Sequence, residues 1–221
     1  MKIKFNYDRS GCKDVFKSYL VANCKFDGEL EIPSIDKIDD IPVELISFSK
    51  CIRSNKYDRY VHFYEDDVNF ERIWNNPKKY LPVLKKYKGV ISPDFSIYRD
   101  MPLVMQEWNT YRNRAIGAWL QENGVNVIPN IRWADKRSLS FCCLGVKKNG
   151  IISIGTHGTI KNNIDKKIFI EGLEYVISNL KPKVIIVYGK APDYIFKKYK
   201  DVGIKIISFD SEYSLSRKAS K

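Results

Sequence analysis

The chain reads as an α/β protein: a mainly parallel sheet with alternating helices, curled into a barrel-like and incomplete β/α form. The alternative left open is an open, doubly wound sheet. Three observations carry that expectation. Helical stretches of 10–20 residues alternate with short strands, the pattern of α/β architecture. The strand segments are unbroken apolar, β-branched runs such as Val184-Ile185-Ile186-Val187, as expected when both faces of a sheet are covered. A unit of helix, glycine and apolar run recurs at Gly89, Gly124 and Gly203, and a left-handed glycine leading at once into a strand is how a helix returns to a parallel sheet. With 221 residues the chain is shorter than the ~250 of a full barrel, hence the incomplete form.

Residues 1–59 read as a helical and loop-rich extension. Ser10-Gly11 opens a helix with the apolar stripe Val15, Phe16, Tyr19 and Leu20. Asp27 to Glu44 is an acidic, loop-rich excursion holding Pro33 and Pro42, and Glu44 to Phe48 is a short strand. The α/β domain is placed at 60–213. Its first strand is Tyr60–Tyr64, ending in Glu65-Asp66-Asp67. In the next helix, Asn76 is an N-cap, Pro77 a first-turn residue and Gly89 a C-cap. Val90–Ser92 is the next strand. A second helix is capped by Asp100, has Pro102 in its first turn and ends at Gly124. Strand Val125–Ile128 runs into Pro129-Asn130, and strand Ile151–Ile154 into Gly155-Thr156-His157-Gly158. A third helix covers about 165–180, strand Val184–Val187 ends at Tyr188-Gly189, a fourth helix closes at Gly203, and Ile204–Phe209 is the last strand. Residues 214–221 form a basic tail.

Composition narrows the function classes. Apolar residues make up 44% and charged residues 29%, ordinary globular values. No apolar run reaches the ~18 residues of a membrane span, and the start MKIKFNYDRSGCK has no apolar core of a secretory signal. Five cysteines with irregular spacing, two of them adjacent at Cys142-Cys143, point to a reducing, cytoplasmic protein and to core packing for that pair. The net charge of +12 is uneven: residues 1–120 carry 20 basic and 17 acidic side chains, residues 121–221 carry 18 and 9. A basic half attracts polyanions such as nucleic acid or nucleotides.

In either α/β form ligands bind at the C-terminal strand ends. There the chain places Glu65 and Asp66, Asp94, Asn130 with Arg132 and Trp133, Thr156 with His157, Tyr188 with Lys190, and Asp210 with Glu212. Asp66 or Asp67, Asp94 and Asp210 also suit helix capping. Asp94, His157 and Glu65 are the catalytic candidates, with His157 the proton carrier because it is one of only two histidines in the chain. Arg112, Asn130, Arg132, Trp133, Thr156, Tyr188 and Lys190 are the ligand-binding candidates. Arg112 lies in or beside the buried stripe of its helix, between Trp108 and Ile116, and must have a partner such as Asp94 or Glu65. The other reading of Arg112 is a structural ion pair. Small residues at Gly155–Gly158 suit close approach to a phosphate or a tight turn. Glu65, Asp94 and Asp210 are the candidate ligands of a Mg²⁺ or Mn²⁺ ion, which favour carboxylates and water. No Walker A sequence, GxGxxG fingerprint, zinc spacing or Gly-x-Ser-x-Gly elbow is present.

Four blocks, Ser92-Pro93-Asp94-Phe95-Ser96, Tyr98-Arg99-Asp100-Met101-Pro102, Asn109 to Arg114, and Val127 to Trp133, resemble a domain-of-unknown-function family of Firmicutes, their phages and other mobile elements. The resemblance covers about residues 60–210. It implies a cytoplasmic protein of a mobile element, with nucleic acid a common partner, and it transfers no catalytic residue. Three functional readings are open. One is a protein binding a phosphate-bearing ligand, nucleic acid or nucleotide, at its strand ends, with metal-assisted phosphoester hydrolysis as the candidate chemistry. The second is a non-catalytic nucleic-acid binder using lysines of the 161–205 face and the tail residues Arg217, Lys218 and Lys221. The third is a protein that binds a host factor through the acidic 27–44 excursion.

Overall fold

Seven strands lie side by side in chain order and all run parallel in the computed structural model, which describes residues 14–160 and 162–219. A short antiparallel hairpin, β1 (Phe26–Asp27) and β2 (Ile32–Pro33), comes first. Next come β3 (Leu45–Ser47), α1 (Phe48–Cys51), β4 (Tyr60–His62), α2 (Asp67–Asn75), α3 (Pro77–Leu84), β5 (Gly89–Ile91), α4 (Leu103–Glu122) and β6 (Val127–Ile128). The second half holds β7 (Ile151–Gly155), α5 (Asn163–Leu180), β8 (Val184–Tyr188), α6 (Asp193–Asp201), β9 (Lys205–Phe209) and α7 (Glu212–Ala219).

Strands β3 to β6 form one parallel ladder and β7 to β9 another. A parallel bridge at Asn130–Ser153 joins them, with Ile131 N–H donating to Ser153 O and Ser153 N–H to Pro129 O. Side chains alternate across this surface. Val61, Val90 and Val127 face the helices of the first half, and Ile152, Ile185 and Val187 face those of the second. Tyr60, Ile91, Ile128, Ile151, Val184 and Ile186 form a separate inner cluster, against which Leu45 of β3 and Ile207 of β9 both pack. Contact of both outermost strands with one inner cluster requires the sheet to curl. Among the described residues no ladder joins β3 to β9, so the barrel is open on that side. The strand order never reverses, which excludes the doubly wound alternative.

The excursion before β3 is packed rather than loose. Ile38 and Ile41 press on the inner cluster. Tyr60 donates to the Asp40 carboxylate at 2.8 Å, and Lys88 pairs with Asp40. Ile35 is fully buried and bridges to Val146.

Several expectations need correction. The Ser10-Gly11 helix start lies outside the described residues; within them only a 3₁₀ turn at Ser18–Val21 forms, and Val15 and Phe16 are exposed. The sheet already begins at β3, ahead of residue 60. The helix after β4 is two helices, and Asn76 caps the second by accepting from Lys79 N–H. Gly89 is a strand residue, not a cap: a β-carbon there would sit 2.2 Å from the Tyr60 ring. Gly124 and Gly203 do take the left-handed conformation, at φ 82° and 92°. Asp100 does not cap α4; Pro102 occupies its N-cap position.

Candidate functional site

The C-terminal ends of six strands surround one cavity of about 840 Å³. The lining comes from Tyr64 and Glu65 after β4, Asp94 and Ser96 after β5, Arg132 and Trp133 after β6, Gly155 and His157 at β7, Tyr188 at β8, and Glu212 and Tyr213 after β9. Parallel strands make this convergence unavoidable, since every strand leaves the barrel at the same end.

A hydrogen-bonded chain holds the floor. The Tyr64 hydroxyl lies 2.7 Å from Ser153 Oγ and donates to Asn130 Oδ1 at 2.9 Å. Asn130 Nδ2 donates to Asp94 Oδ1 at 2.7 Å, and Arg132 Nη1 donates to Asp94 Oδ2. Behind it, Asn113 donates to Pro93 O at 2.6 Å and accepts from Ser92 Oγ, fixing the strand end that carries Asp94. Burial pushes the Asp94 carboxyl above its ordinary value, and the Arg132 guanidinium and Asn130 amide only partly offset this. Burial also holds the Tyr64 phenol well above its usual range and pushes Tyr188 up to about 12, so both are neutral donors at physiological pH. The two rings stack at 4.5 Å and 9°. His62, beneath them, is driven down to about 4 by burial, and its Nδ1 accepts from Tyr64 N–H. It packs, as its strand position suggests.

The walls are acidic. Glu65 accepts from the Ser49 N–H and hydroxyl, and Asp67 from the Ser96 N–H at 3.1 Å and hydroxyl at 2.7 Å. Asp165 pairs with Arg99 at 2.8 Å and Glu212 with Lys50 at 3.0 Å. Six lining carboxylates thus face two lining guanidinium groups. Glu65, Asp66 and Asp67 form no salt bridge among the described residues. Exposed Tyr98 and Tyr213 flank the mouth.

Of the residues singled out from sequence, Glu65, Asp66, Asp94, Arg132, Trp133, His157, Tyr188 and Glu212 line this cavity. Asn130 is one layer behind. Thr156 is buried and donates to Lys190 O at 2.8 Å, which holds the loop together; Lys190 itself is exposed. Asp210 is exposed and outside the lining. Arg112 lies elsewhere: its partner is Glu71 at 2.6 Å, with Asn109 at 2.7 Å and the Phe95 ring at 3.9 Å. The ion-pair reading of Arg112 therefore describes its geometry, and neither Asp94 nor Glu65 is the partner.

The residues do not fit a protein-built metal centre. Among the described residues no three His, Cys, Asp or Glu side chains form a group able to hold a metal ion. The three sequence candidates do not form one group: Asp94 is held by Asn130 and Arg132, Glu65 is held by Ser49, and Asp210 lies outside the cavity.

The lysine face is also less available than its charge suggests. Lys197 pairs with Asp201, Lys198 with Glu174 and Lys200 with Asp193. In the tail, Arg217 lies over the Tyr213 ring; Lys221 is outside the described residues. Among the described residues no helix is long and apolar enough to cross a membrane.

Tyr64, Ser96, Arg99 and Asp165 belong to the site but were not among the sequence candidates. For Ser96 and Arg99 the usable signal was the long loop from Ser92 to Pro102 after a strand, because long loops on a rigid scaffold carry function.

Comparison with known proteins agrees with this picture of a phage-associated domain. The family model described as "Domain of unknown function (DUF4417)" matches residues 24–210. The "Gene 1 protein" of Mycobacterium phage D29 is 30% identical over 164 residues, 72% of this chain and 60% of that protein. The "Gene 1 protein" of Mycobacterium phage L5 is 31% identical over 163 residues, 72% of this chain and 71% of that one. The chain thus spans less than two thirds of the D29 relative's length. No solved structure matches. Since the family model covers most of the chain and takes in every strand of the barrel, this protein belongs to the DUF4417 family.

Proposed function

We propose that the protein binds a small organic ligand in the cavity at the open end of its barrel. The ligand carries a phosphate or carboxylate at one end and an ammonium or similar donor at the other. The observation that carries this reading is the convergence of side chains from six strand ends on one cavity of about 840 Å³, the size and position of ligand sites in this class of fold.

Charge refines the ligand class. A bare polyanion entering a wall with Glu65, Asp66 and Asp67 would meet repulsion that a low-dielectric cleft strengthens. A nucleic-acid strand is therefore a poor occupant. Arg132 spends one donor on Asp94 and Arg99 one on Asp165, which leaves N–H groups on both for a single phosphate or carboxylate. The cationic end would then face the Glu65–Asp67 wall. The phosphate-bearing ligand expected from sequence is thus narrowed to a small molecule of mixed charge.

The test is a thermal-shift panel of amino acids, amino-sugar phosphates, nucleotides and polyamines. Mixed-charge members are expected to raise Tm by about 5 °C or more near a hundredfold excess over Kd. Glu65→Gln and Arg99→Gln, both at partly exposed positions, should each reduce that shift. A panel without any stabilising member, or shifts that survive both substitutions, would refute the reading.

A further inference from the structure

Arg114 is the anomaly of this core. It is 1% exposed, the largest fully buried side chain among the described residues. Its guanidinium donates to Leu144 O at 2.9 Å, Cys142 O at 2.8 Å, Asn130 O at 2.8 Å and Asn113 Oδ1 at 2.6 Å. These are all neutral acceptors. Among the described residues no carboxylate pairs with it. A buried charge satisfied by dipoles alone still lacks a counter-charge, and proteins seldom leave one so.

The titratable groups facing it are two thiols. Cys142 and Cys143 come just after the 3₁₀ turn Lys136–Ser140, and their sulfurs lie 3.8 Å apart. Cys142 is fully buried, whereas Cys143 is partly exposed. The ionisable groups around Cys143 are Cys142 on its own turn, Arg114 from α4 and Tyr175 from α5. Arg114 draws negative charge toward the pair, and Tyr175 is held neutral, its phenol raised by burial.

We infer that Cys143 is a nucleophilic thiol, set against the buried Arg114 guanidinium, and a modification site for soft electrophiles. The geometry supplies what a reactive cysteine needs: a fixed cation bonded to the Cys142 and Leu144 carbonyls on either side of it, a second thiol sulfur at 3.8 Å, and partial exposure to solvent. The Cys142 hydrogen bond is the main cause lowering the Cys143 thiol, with Arg114 adding to it against desolvation, while Cys142 itself is raised. Cys24 provides an internal contrast: it is also partly exposed, but burial and Glu122 push it up to about 12. The site is independent of the cavity ligand. Arg114 does touch Asn130 O, so a group added at Cys143 sits one residue layer from the floor that holds Asp94.

The test uses the intact protein and iodoacetamide. The Cys143 proton leaves to solvent, the thiolate sulfur attacks the methylene carbon, the carbon–iodine bond breaks and iodide departs with the bonding pair. Alkylation of each cysteine is tracked by peptide mass spectrometry between pH 5 and pH 10, on the folded protein and on the chain unfolded in guanidinium chloride. The expected result is a Cys143 midpoint below the ~8.5 of an ordinary thiol, and labelling at pH 7 about tenfold faster than at Cys24. A folded-state midpoint at or above that of the unfolded chain overturns the inference, and so does preferential labelling of Cys142 or Cys24.

Discussion

At the scale of single residues, burial rather than residue type decides which polar groups do what. Arg112 and Arg132 each directly follow a large apolar side chain in the chain, Tyr111 and Ile131. One ends against Glu71 on the Phe95 ring, the other against Asp94 in the cavity. Sequence spacing showed that Arg112 needed a partner but could not say which, because the partner comes from a helix 41 residues away. His62 was legible as a packing residue, since it lies inside an apolar run, and its chemistry agrees. Its folded value, about 4, is below the ordinary 6.5, so the unfolded chain binds the extra proton between those pH values. The stability it confers is full above pH 6.5 and falls as the pH drops toward 4. By pH 5 the loss from this group is about 2 kcal/mol. Urea unfolding at pH 7 and pH 5 should show that difference in the wild-type protein and a smaller one in His62→Gln. Equal pH sensitivity of the two proteins would contradict the assignment.

At the scale of elements, the boundaries that glycine and asparagine mark were legible, and the close contacts were not. Gly124 and Gly203 end helices as left-handed glycines, and Asn76 caps α3. Gly89 and Gly172 look similar in the chain but serve a different purpose: each leaves room for an aromatic ring from another element. A β-carbon on Gly172, within α5, would lie 2.0 Å from the Trp133 indole nitrogen. Helix propensity alone favours alanine there by up to ~1 kcal/mol. The clash opposes it, because the indole, packed on Phe169 and lining the cavity, must shift to admit a β-carbon. Gly172→Ala is therefore expected to lower Tm and to shift tryptophan emission toward that of exposed indole, as differential scanning fluorimetry and emission spectra would show. A raised Tm with unchanged emission would mean that Trp133 is not seated as described.

At the scale of the whole molecule, charge and cavity point in opposite directions. The chain carries +12, yet its cavity has more carboxylates than guanidinium groups. On the proposed reading, long-range attraction of polyanions and recognition of a small ligand would be separate properties of separate surfaces. Binding to a random DNA duplex at 50 mM salt is expected to be lost by roughly 200 mM, the behaviour of phosphate contacts alone. It should be unchanged in Arg99→Gln and Glu65→Gln, whose effects are confined to the cavity. Electrophoretic mobility shifts over a salt series check both statements; salt-resistant binding that either substitution weakens would place nucleic acid in the cavity after all.

From the sequence alone came the alternation of helices and strands, the parallel direction of the strands, and the end of the sheet at which polar side chains converge on a cavity. Those are local properties: apolar runs, glycine after helices, and polar residues just past each strand. Tertiary structure alone decided between the curled, open-sided sheet and the doubly wound alternative, that Ile38 and Ile41 pack against its inner cluster, and which charges meet. The reason is physical. A strand's burial pattern depends on its neighbours in sequence. An ion pair such as Asp94 with Arg132, or a guanidinium held by distant carbonyls such as Arg114, depends on where the chain returns 28 or more residues later.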